Sequence, residues 1–221
     1  KKRIKREPLA YIFNEWDFYG ETFYLDKNSL IPRQDTELII DLVIKQFDKE
    51  SKLNILDLGT GSGVIGITLS KLYPNSIITI SDISSKALNV ANKNIKNHNV
   101  TNIRSLESDW FDNFKEKELF DLILTNPPYI SKDDVHLNNL ELGYEPSNAL
   151  VAANDGFADI FKIIDTSPKF LNSGGLLIIE HGHTQGNRVK NYFQHRSFDN
   201  IKQHQDINQK IRVTSASKIK V

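Results

Sequence analysis

The sequence predicts an α/β fold in which helices cover both faces of a mainly parallel sheet. From residue 53 onward, short apolar runs alternate with longer segments of helical period, a pattern typical of such folds. A glycine-rich turn joins the first of these runs to the helix that follows it. Polar residues also stand at the carboxyl ends of four predicted strands, where open parallel sheets bind ligands. These three observations agree on one fold class.

The individual elements can be placed in order along the chain. Alternation over Glu21-Thr22-Phe23-Tyr24-Leu25 predicts a small β-hairpin, and a helix is expected from Thr36, its predicted N-cap, to Phe47. Strands are then expected at about 53–58, 76–81, 102–107, 120–125 and 174–180, with two final strands at about 198–206 and 210–218. Helices are expected at about 63–73, 84–97, 157–171 and 184–195.

Composition restricts the class of protein. The 221 residues carry a net charge of zero and are 39% hydrophobic, which suits one α/β domain of ordinary size. A balanced charge argues against binding of nucleic acid through bulk electrostatics. There is no cysteine, the six histidines lack metal-ligand spacing, and no long apolar run is present. We therefore expect a cytoplasmic protein without a metal, a membrane span or stable nucleic acid binding.

The turn Gly59-Thr60-Gly61-Ser62-Gly63 predicts a cofactor site. It follows the apolar run that ends at Leu58 and precedes a segment of helical period. Glycines let the backbone approach a ligand closely, and the free N–H groups at a helix N-terminus favour a negative group. A turn of this kind after a strand therefore indicates a nucleotide-like ligand.

Two cofactors compete for this turn. The spacing of Gly61, Gly63 and Gly66 matches the dinucleotide fingerprint, in which an acidic residue such as Asp82 follows about twenty residues later. The spacing from Asp57 through the three glycines of the turn resembles instead the first motif of class I methyltransferases, which bind S-adenosylmethionine. Asp82 suits the ribose hydroxyls of either cofactor. Asp57 and the motif described next favour S-adenosylmethionine.

Asn126-Pro127-Pro128-Tyr129 directly follows the predicted strand at 120–125. Each proline fixes its own φ and removes one N–H donor, so the neighbouring carbonyls stay free to accept hydrogen bonds. The asparagine carboxamide offers both an acceptor and two donors. Asn-Pro is also an ordinary turn signal, but beside the glycine-rich turn these groups predict a rigid receptor for a small NH2 group. A nitrogen methyltransferase needs such a receptor.

Together these motifs resemble those of the release-factor glutamine methyltransferases, and the resemblance covers nearly the whole chain. The matching segments are residues 30–37, 57–63, 108–111, 126–130, 145–146, 149–150, 180–182 and 212–214. Asn-Pro-Pro-Tyr alone is shared with adenine methyltransferases, so the combination carries the resemblance. It implies a sheet of seven strands, mostly parallel, with the last strand antiparallel. It also implies methyl transfer from S-adenosylmethionine to the glutamine amide in the Gly-Gly-Gln loop of peptide chain release factors, with S-adenosylhomocysteine as product.

The resemblance also implies a role for each site residue. The Asn126 Oδ1 atom and the Pro127 carbonyl would accept the two amide N–H bonds, while Pro128 and Tyr129 complete the substrate site. Asn126, Pro127 and Tyr129 are thus the expected catalytic residues. The expected cofactor-binding residues are Asp57, Gly59, Thr60, Gly61, Ser62, Gly63, Asp82, Asp109, Trp110 and Asn126.

Several of these residues also allow a structural explanation. Trp110 would lie against the adenine ring or pack in the core, and Asp109 would meet the adenine amine or cap a turn. Glu180 and His181 suit either the site or simple packing at a strand end. Arg33 suits either the loop and substrate or a solvated turn.

The expected domain organisation also rests on the resemblance. Residues 1–7 would end a linker from an N-terminal helical domain that docks release factors, residues 8–35 would form a hairpin segment, and residues 36–221 would form the catalytic domain of a monomer. Asn14 stands where the family usually has glycine, and Gln34 where it usually has proline. Asn14 matches a sister family that methylates a ribosomal protein, so that substrate stays an alternative, as does the adenine amino group of nucleic acid.

Overall fold

A seven-stranded sheet forms the centre of the structure, a computed structural model that describes residues 2–220. The strands along the chain are β1 (Glu15–Phe18), β2 (Glu21–Tyr24), β3 (Asn54–Leu58), β4 (Ile77–Asp82), β5 (Ile103–Glu107), β6 (Phe120–Thr125), β7 (Ile130–Ser131), β8 (Val151–Ala152), β9 (Leu171–Glu180), β10 (Phe198–Gln205) and β11 (Ile211–Lys218). The sheet has the order β5-β4-β3-β6-β9-β11-β10, whereas β1 pairs with β2 and β7 pairs with β8 outside it.

Strand direction agrees with the prediction. Strand β3 runs parallel to both β4 and β6, and the parallel pairing continues outward to β5 and β9. The last strand, β11, is antiparallel to both of its neighbours, β9 and β10. The expected mostly parallel sheet of seven strands with an antiparallel last strand is therefore confirmed.

Helices pack on both faces of this sheet. The α-helices along the chain are α1 (Leu9–Phe13), α2 (Glu37–Gln46), α3 (Val64–Leu72), α4 (Ser85–Asn97), α5 (Ala153–Gly156), α6 (Ala158–Thr166) and α7 (Gly186–Gln194); α1 belongs instead to a small separate cluster. Because successive strand residues point to opposite faces, Ile55 packs with Ile67 of α3, whereas Leu56 packs with Ile163 of α6 and Phe193 of α7. Within residues 2–220, none of the helices has the length and apolar character needed to cross a membrane.

The β1–β2 hairpin is packed onto the main core. Phe18 and Phe23 are both buried there. Asn94 of α4 accepts a hydrogen bond from the Tyr24 N–H at 2.8 Å and donates one to the Tyr24 carbonyl at 3.0 Å. The same Nδ2 group donates to the Ser62 carbonyl at 2.9 Å, which connects the hairpin to the glycine-rich turn. The domain division at residue 35 stays a prediction.

The predicted helix at 157–171 is wrong in its second half. Helix α6 ends at Thr166, a 3-10 turn covers Ser167–Lys169, and β9 already begins at Leu171. Pro168 lacks an N–H group, so it cannot donate the hydrogen bond that would continue the α-helix. The strand was expected only from residue 174, but β9 includes the irregular stretch around Gly174, whose φ is 76°.

Thr36 stands at the N-cap position of α2, as predicted, but it does not cap the helix with its side chain. Thr36 ends a 3-10 turn, Gln34–Thr36, and has helical backbone angles itself. Its side chain makes no capping hydrogen bond to α2. The Thr36 hydroxyl points instead toward Asn126, at the carboxyl edge of the sheet.

Candidate active site

The glycine-rich turn between β3 and α3 has backbone that favours glycine. Gly59, Gly61 and Gly63 have φ values of 76°, 57° and 86°, in the left-handed region. A Cβ atom added to Gly59 would lie 3.2 Å from the Trp110 ring, whereas one added to Gly61 would meet open space. Trp110 therefore lies over the start of the turn, and Gly61 faces the cavity beside it.

Asp82 fixes the other side of this turn from the end of β4. Its Oδ2 atom accepts a hydrogen bond from the Gly61 N–H and its Oδ1 atom accepts one from the Ser84 N–H, both at 2.9 Å. Burial raises the pKa of Asp82, and the backbone hydrogen bonds partly oppose that shift. The carboxylate lines the cavity, where its remaining lone pairs are available to ribose hydroxyls.

Asp57 lies beneath the turn and does not line the cavity. Its Oδ2 atom accepts hydrogen bonds from the Thr60 hydroxyl at 2.5 Å and from the Gly66 N–H at 3.0 Å. Its Oδ1 atom is buried without a hydrogen-bond partner among the described residues. Burial raises the pKa of Asp57 to about 6, although both hydrogen bonds act in the opposite direction. Asp57 thus supports the turn through its Oδ2 atom, while its Oδ1 atom makes no hydrogen bond to the described residues.

Trp110 and Asp109 line the same cavity after β5. The Trp110 indole donates to Asp159 Oδ1 at 3.1 Å, and Lys162 binds the Asp109 carboxylate at 3.1 Å. The Trp110 ring also packs against the second core cluster, so both of its expected roles are compatible with its position. The turn here is capped by Ser108, whose hydroxyl accepts the Asn113 N–H.

Asn126 stands at the end of β6 with its carboxamide in the cavity wall. Its Nδ2 group donates to the Thr36 hydroxyl at 3.1 Å. Its Oδ1 atom accepts no hydrogen bond from residues 2–220. Pro128 also lines the cavity, while Pro127 is buried and Tyr129 faces away toward β9.

Tyr129 is held firmly behind this wall. Its hydroxyl donates to Glu180 Oε1 at 3.3 Å, and its carbonyl accepts the Gln185 amide at 3.0 Å. Gly156, with a φ of 85°, lies so close that an added Cβ atom would overlap the Tyr129 carbonyl oxygen. Burial, followed by the nearby Glu180 charge, raises the pKa of Tyr129, so the phenol stays protonated.

Glu180 and His181 are both buried at the end of β9. Burial raises the pKa of Glu180 to about 7, while the Thr36 and Tyr129 hydroxyls lower it. His181 shares a hydrogen bond of 2.8 Å with the Thr214 hydroxyl and one of 3.0 Å with the Gly182 carbonyl. Burial lowers the pKa of His181, so the imidazole is neutral and packs at the strand end.

The segments before α2 and after β7 form the outer rim of the cavity. Arg33 binds the buried Glu145 carboxylate at 2.7 Å, and Glu145 also accepts the Ile31 N–H at 3.0 Å. Arg33 therefore steadies the rim instead of forming a solvated turn. The rim residues that line the cavity include Leu30, Pro32, Pro146, Asn148 and Ala149.

Thr36, Glu145, Asp159 and Lys162 were not predicted as site residues. Each one is the partner of a predicted residue or of Arg33. Thr36 and Glu145 both belong to segments that match the family motifs, residues 30–37 and 145–146, and this was the available signal. Among the side chains that the structure describes, no group of three or more histidine or acidic residues could hold a metal ion.

The cavity fits S-adenosylmethionine better than a dinucleotide. Its volume of about 350 Å³ is at the lower end of the usual range for small-molecule sites. Dinucleotide-binding sheets have the strand order 3-2-1-4-5-6, whereas here an antiparallel last strand is inserted beside the fifth strand of the sheet.

Comparison with known proteins identifies the family. Residues 36–142 match the methyltransferase small domain. A release factor glutamine methyltransferase from Francisella tularensis is 40% identical over 211 residues, which cover 95% of this chain and 74% of the relative. The chain belongs to the release factor glutamine methyltransferase family. A second family member, from Haemophilus influenzae, is 37% identical over 96% of this chain and 76% of its own length.

Solved structures agree with the fold. A 16S rRNA N2 G1207 methyltransferase from Thermus thermophilus, in complex with AdoMet and guanosine, superimposes with a TM-score of 0.68 at 15% identity. The similarity covers 92% of this chain and 49% of that chain. At this identity the likeness concerns the fold alone. Family membership itself confirms the prediction of an S-adenosylmethionine-dependent methyltransferase.

Proposed function

We propose that this protein transfers a methyl group from S-adenosylmethionine to the side-chain amide nitrogen of the glutamine in the Gly-Gly-Gln loop of peptide chain release factors. The observation that carries the proposal is the carboxamide of Asn126. It stands in the cavity wall with its Nδ2 group bonded to Thr36 and its Oδ1 atom without a partner among the described side chains. An unpartnered acceptor at this point is suited to an amide N–H of the substrate.

The residues around the turn would hold the cofactor. Asp82 is suited to the ribose hydroxyls, Trp110 to the face of the adenine ring, and Asp109 to its exocyclic amine. Gly59, Gly61 and Gly63 let the backbone approach the ligand, with Thr60 and Ser62 between them. When bound, S-adenosylmethionine supplies an electrophilic methyl carbon.

The protein's own residues act on the acceptor amide mainly by alignment. An amide nitrogen is a weak nucleophile because its lone pair is delocalised into the carbonyl group. Asn126 Oδ1 and the Pro127 carbonyl would accept its two N–H groups and hold the nitrogen in one orientation, which is the type of contribution that positioning makes. The same two acceptors favour the positive charge that builds on the nitrogen as it gains a methyl group. The nitrogen then loses one proton to solvent.

Stiffness behind the acceptor site supports this assignment. Tyr129 is fixed by Glu180 and Gln185, and the Arg33–Glu145 pair joins the two rim segments. Reacting groups must be held to within a fraction of an ångström for efficient transfer. A rigid wall around Asn126 is what positioning catalysis requires.

The test uses a purified release factor and cofactor labelled in its methyl group. We expect one added methyl group on the glutamine of the Gly-Gly-Gln loop, mapped by mass spectrometry of peptides. A release factor with that glutamine replaced by glutamate serves as the substrate control, and Asn126→Ala serves as the enzyme control. No transfer to the wild-type release factor under conditions where the enzyme binds S-adenosylhomocysteine would exclude the proposal.

The ribosomal-protein alternative depended on Asn14. Asn14 follows α1 with a φ of 59°, and its Nδ2 group donates to the Leu25 carbonyl at 2.9 Å. Asparagine and glycine are the residues that tolerate this backbone most readily, so Asn14 does not favour either substrate. A side-by-side assay with the ribosomal protein, and with RNA and DNA at moderate salt, separates the three acceptors. That the protein acts as a monomer without stable nucleic acid binding stays part of the proposal.

A further inference from the structure

Thr36 lies between the proposed acceptor residue and a buried carboxyl group. Its hydroxyl accepts the Asn126 Nδ2–H at 3.1 Å. On its other side it faces Glu180, whose pKa the Thr36 hydroxyl lowers. The side chains are far from solvent, since Thr36 is 2% exposed and Glu180 is 0% exposed. Thr36 also reaches the cavity wall next to Asn126.

The hydroxyl of Thr36 has a single proton, so it can donate to only one of its two neighbours. A hydroxyl donates one hydrogen bond and accepts up to two. The Asn126 carboxamide uses the oxygen of this hydroxyl as its acceptor, and the Glu180 side chain is the other polar group that interacts with the hydroxyl. The Thr36 oxygen is thus an acceptor toward Asn126, which selects the Nδ2 end of the carboxamide.

The direction of this hydrogen bond matters because a carboxamide can exchange the positions of its oxygen and nitrogen atoms with little change in shape. Oxygen and nitrogen of the group are nearly the same size, so packing alone does not choose between the two orientations. In the observed orientation the free Oδ1 atom is the one available to a substrate N–H. In the opposite orientation the NH2 group of Asn126 would face the NH2 group of the substrate, and two donors would meet.

We propose that Thr36 is a positioning residue that fixes the Asn126 carboxamide with its acceptor oxygen toward the methyl acceptor. The inference rests on the proposed function, because it concerns the alignment of the same amide. Thr36 does not touch the reacting atoms itself. It acts through Asn126, to which its hydroxyl is hydrogen-bonded.

The decisive variant is Thr36→Val, which keeps the shape and removes the hydroxyl. We expect kcat for release factor methylation to fall by about tenfold to a hundredfold, because loss of alignment at the acceptor has effects of this order. The dissociation constant for S-adenosylhomocysteine and the KM for the release factor should change by less than about threefold, because the substitution removes no contact to either ligand. Thr36→Ser restores the hydroxyl and should recover kcat to within about threefold of the wild type.

The matched control is Thr68→Val in α3. Thr68 is also buried, but its hydroxyl has no hydrogen-bond partner among the described residues. This variant makes the same chemical change away from the site and should keep wild-type kcat. Wild-type kcat in Thr36→Val, or an equal loss in Thr36→Ser and Thr36→Val, would overturn the proposal. The second result would mean that the shape of the side chain matters and its hydroxyl does not.

A measurement without any methyl acceptor separates this inference from the proposed function. The NMR resonances of the Asn126 Nδ2 protons should shift in Thr36→Val relative to the wild-type protein. They should keep their wild-type positions in Thr68→Val. Unshifted Asn126 resonances in Thr36→Val would refute the contact. If the wild-type enzyme transfers no methyl group to release factors, the proposed function fails while this spectrum still decides the role of Thr36.

Discussion

Replacing Asp57 by asparagine should change how the stability of the protein depends on pH. The carboxyl group is buried under the glycine-rich turn, and both of its hydrogen bonds go to the same oxygen, Oδ2. An asparagine whose Oδ1 atom takes that position keeps the bonds from Thr60 and Gly66. Its Nδ2 group then fills the place of the unpartnered carboxylate oxygen. The substitution removes a buried titration and keeps the local geometry.

The size of the effect follows from the pKa of Asp57. Burial raises it from 3.8 to about 6 in the folded protein, and a difference of about two units corresponds to about 3 kcal/mol. The folded state binds this proton more tightly than the unfolded state, so the contribution to stability is complete below pH 4. It is lost as the pH rises through 6. In Asp57→Asn this loss is absent.

Urea unfolding of both proteins between pH 4.5 and 7.5 measures the difference. The free energy of unfolding of Asp57→Asn, relative to the wild type, should rise by about 2 kcal/mol across this range. The rise should be flatter with saturating S-adenosylhomocysteine if its cationic amino group lies near Asp57 and lowers the pKa of the carboxyl group. A difference that does not vary with pH in the free proteins would refute the argument, because Asp57 would then titrate equally in both states.

Three further predictions concern the acceptor site, the cofactor site and the wall behind them. Asn126→Ala should lower kcat about a hundredfold and leave the S-adenosylhomocysteine dissociation constant within about threefold by calorimetry; unchanged turnover would contradict the role of its carboxamide. Asp82→Ala should do the reverse and weaken S-adenosylhomocysteine by about tenfold or more, and unchanged calorimetric affinity would remove Asp82 from the cofactor site. Gly156→Ala should lower the free energy of unfolding by about 2 kcal/mol or more, because its φ is 85° and the new Cβ atom would overlap the Tyr129 carbonyl. Gly143→Ala, where the Cβ atom meets open space, should change it by less than about 0.5 kcal/mol, and equal losses in the two variants would contradict the argument.

The course of the main sheet could be predicted because its strands are short apolar runs with clear ends. Strand β6, for example, covers the expected residues 120–125, and Asn126 directly follows it. The boundary between α6 and β9 could not be predicted in this way, because the apolar period of the helix continues toward Phe170 while Pro168 interrupts the backbone. The antiparallel last strand was predicted from the family resemblance, since hydrophobic periodicity does not report strand direction.

The site could be predicted only as far as each strand end could be located. Asp82 and Asn126 belong to separate strands, and their common edge follows from the parallel sheet. Their partners come from distant segments: Thr36 is 90 residues away from Asn126, and Glu145 is 112 residues away from Arg33. A single sequence carries no periodic signal for such pairs. Thr36 looked like a helix cap because its residue type suits that role equally well.

The placement of buried polar groups explains how the fold serves a reaction that depends on alignment. Glu180 is fully buried at a strand end, where a carboxyl group destabilises the fold unless its neighbours bind it. Tyr129, behind the acceptor wall, donates to its Oε1 atom, and the hydroxyl of Thr36, beside Asn126, lowers its pKa; its Oε2 atom has no hydrogen-bond partner among the described residues. A hydrophobic side chain in place of Glu180 would avoid the burial penalty, but it could not interact with either hydroxyl. Burial of the Glu180 carboxyl group thus lowers the stability of the fold, but the group helps to define one arrangement of the side chains that would hold the glutamine amide.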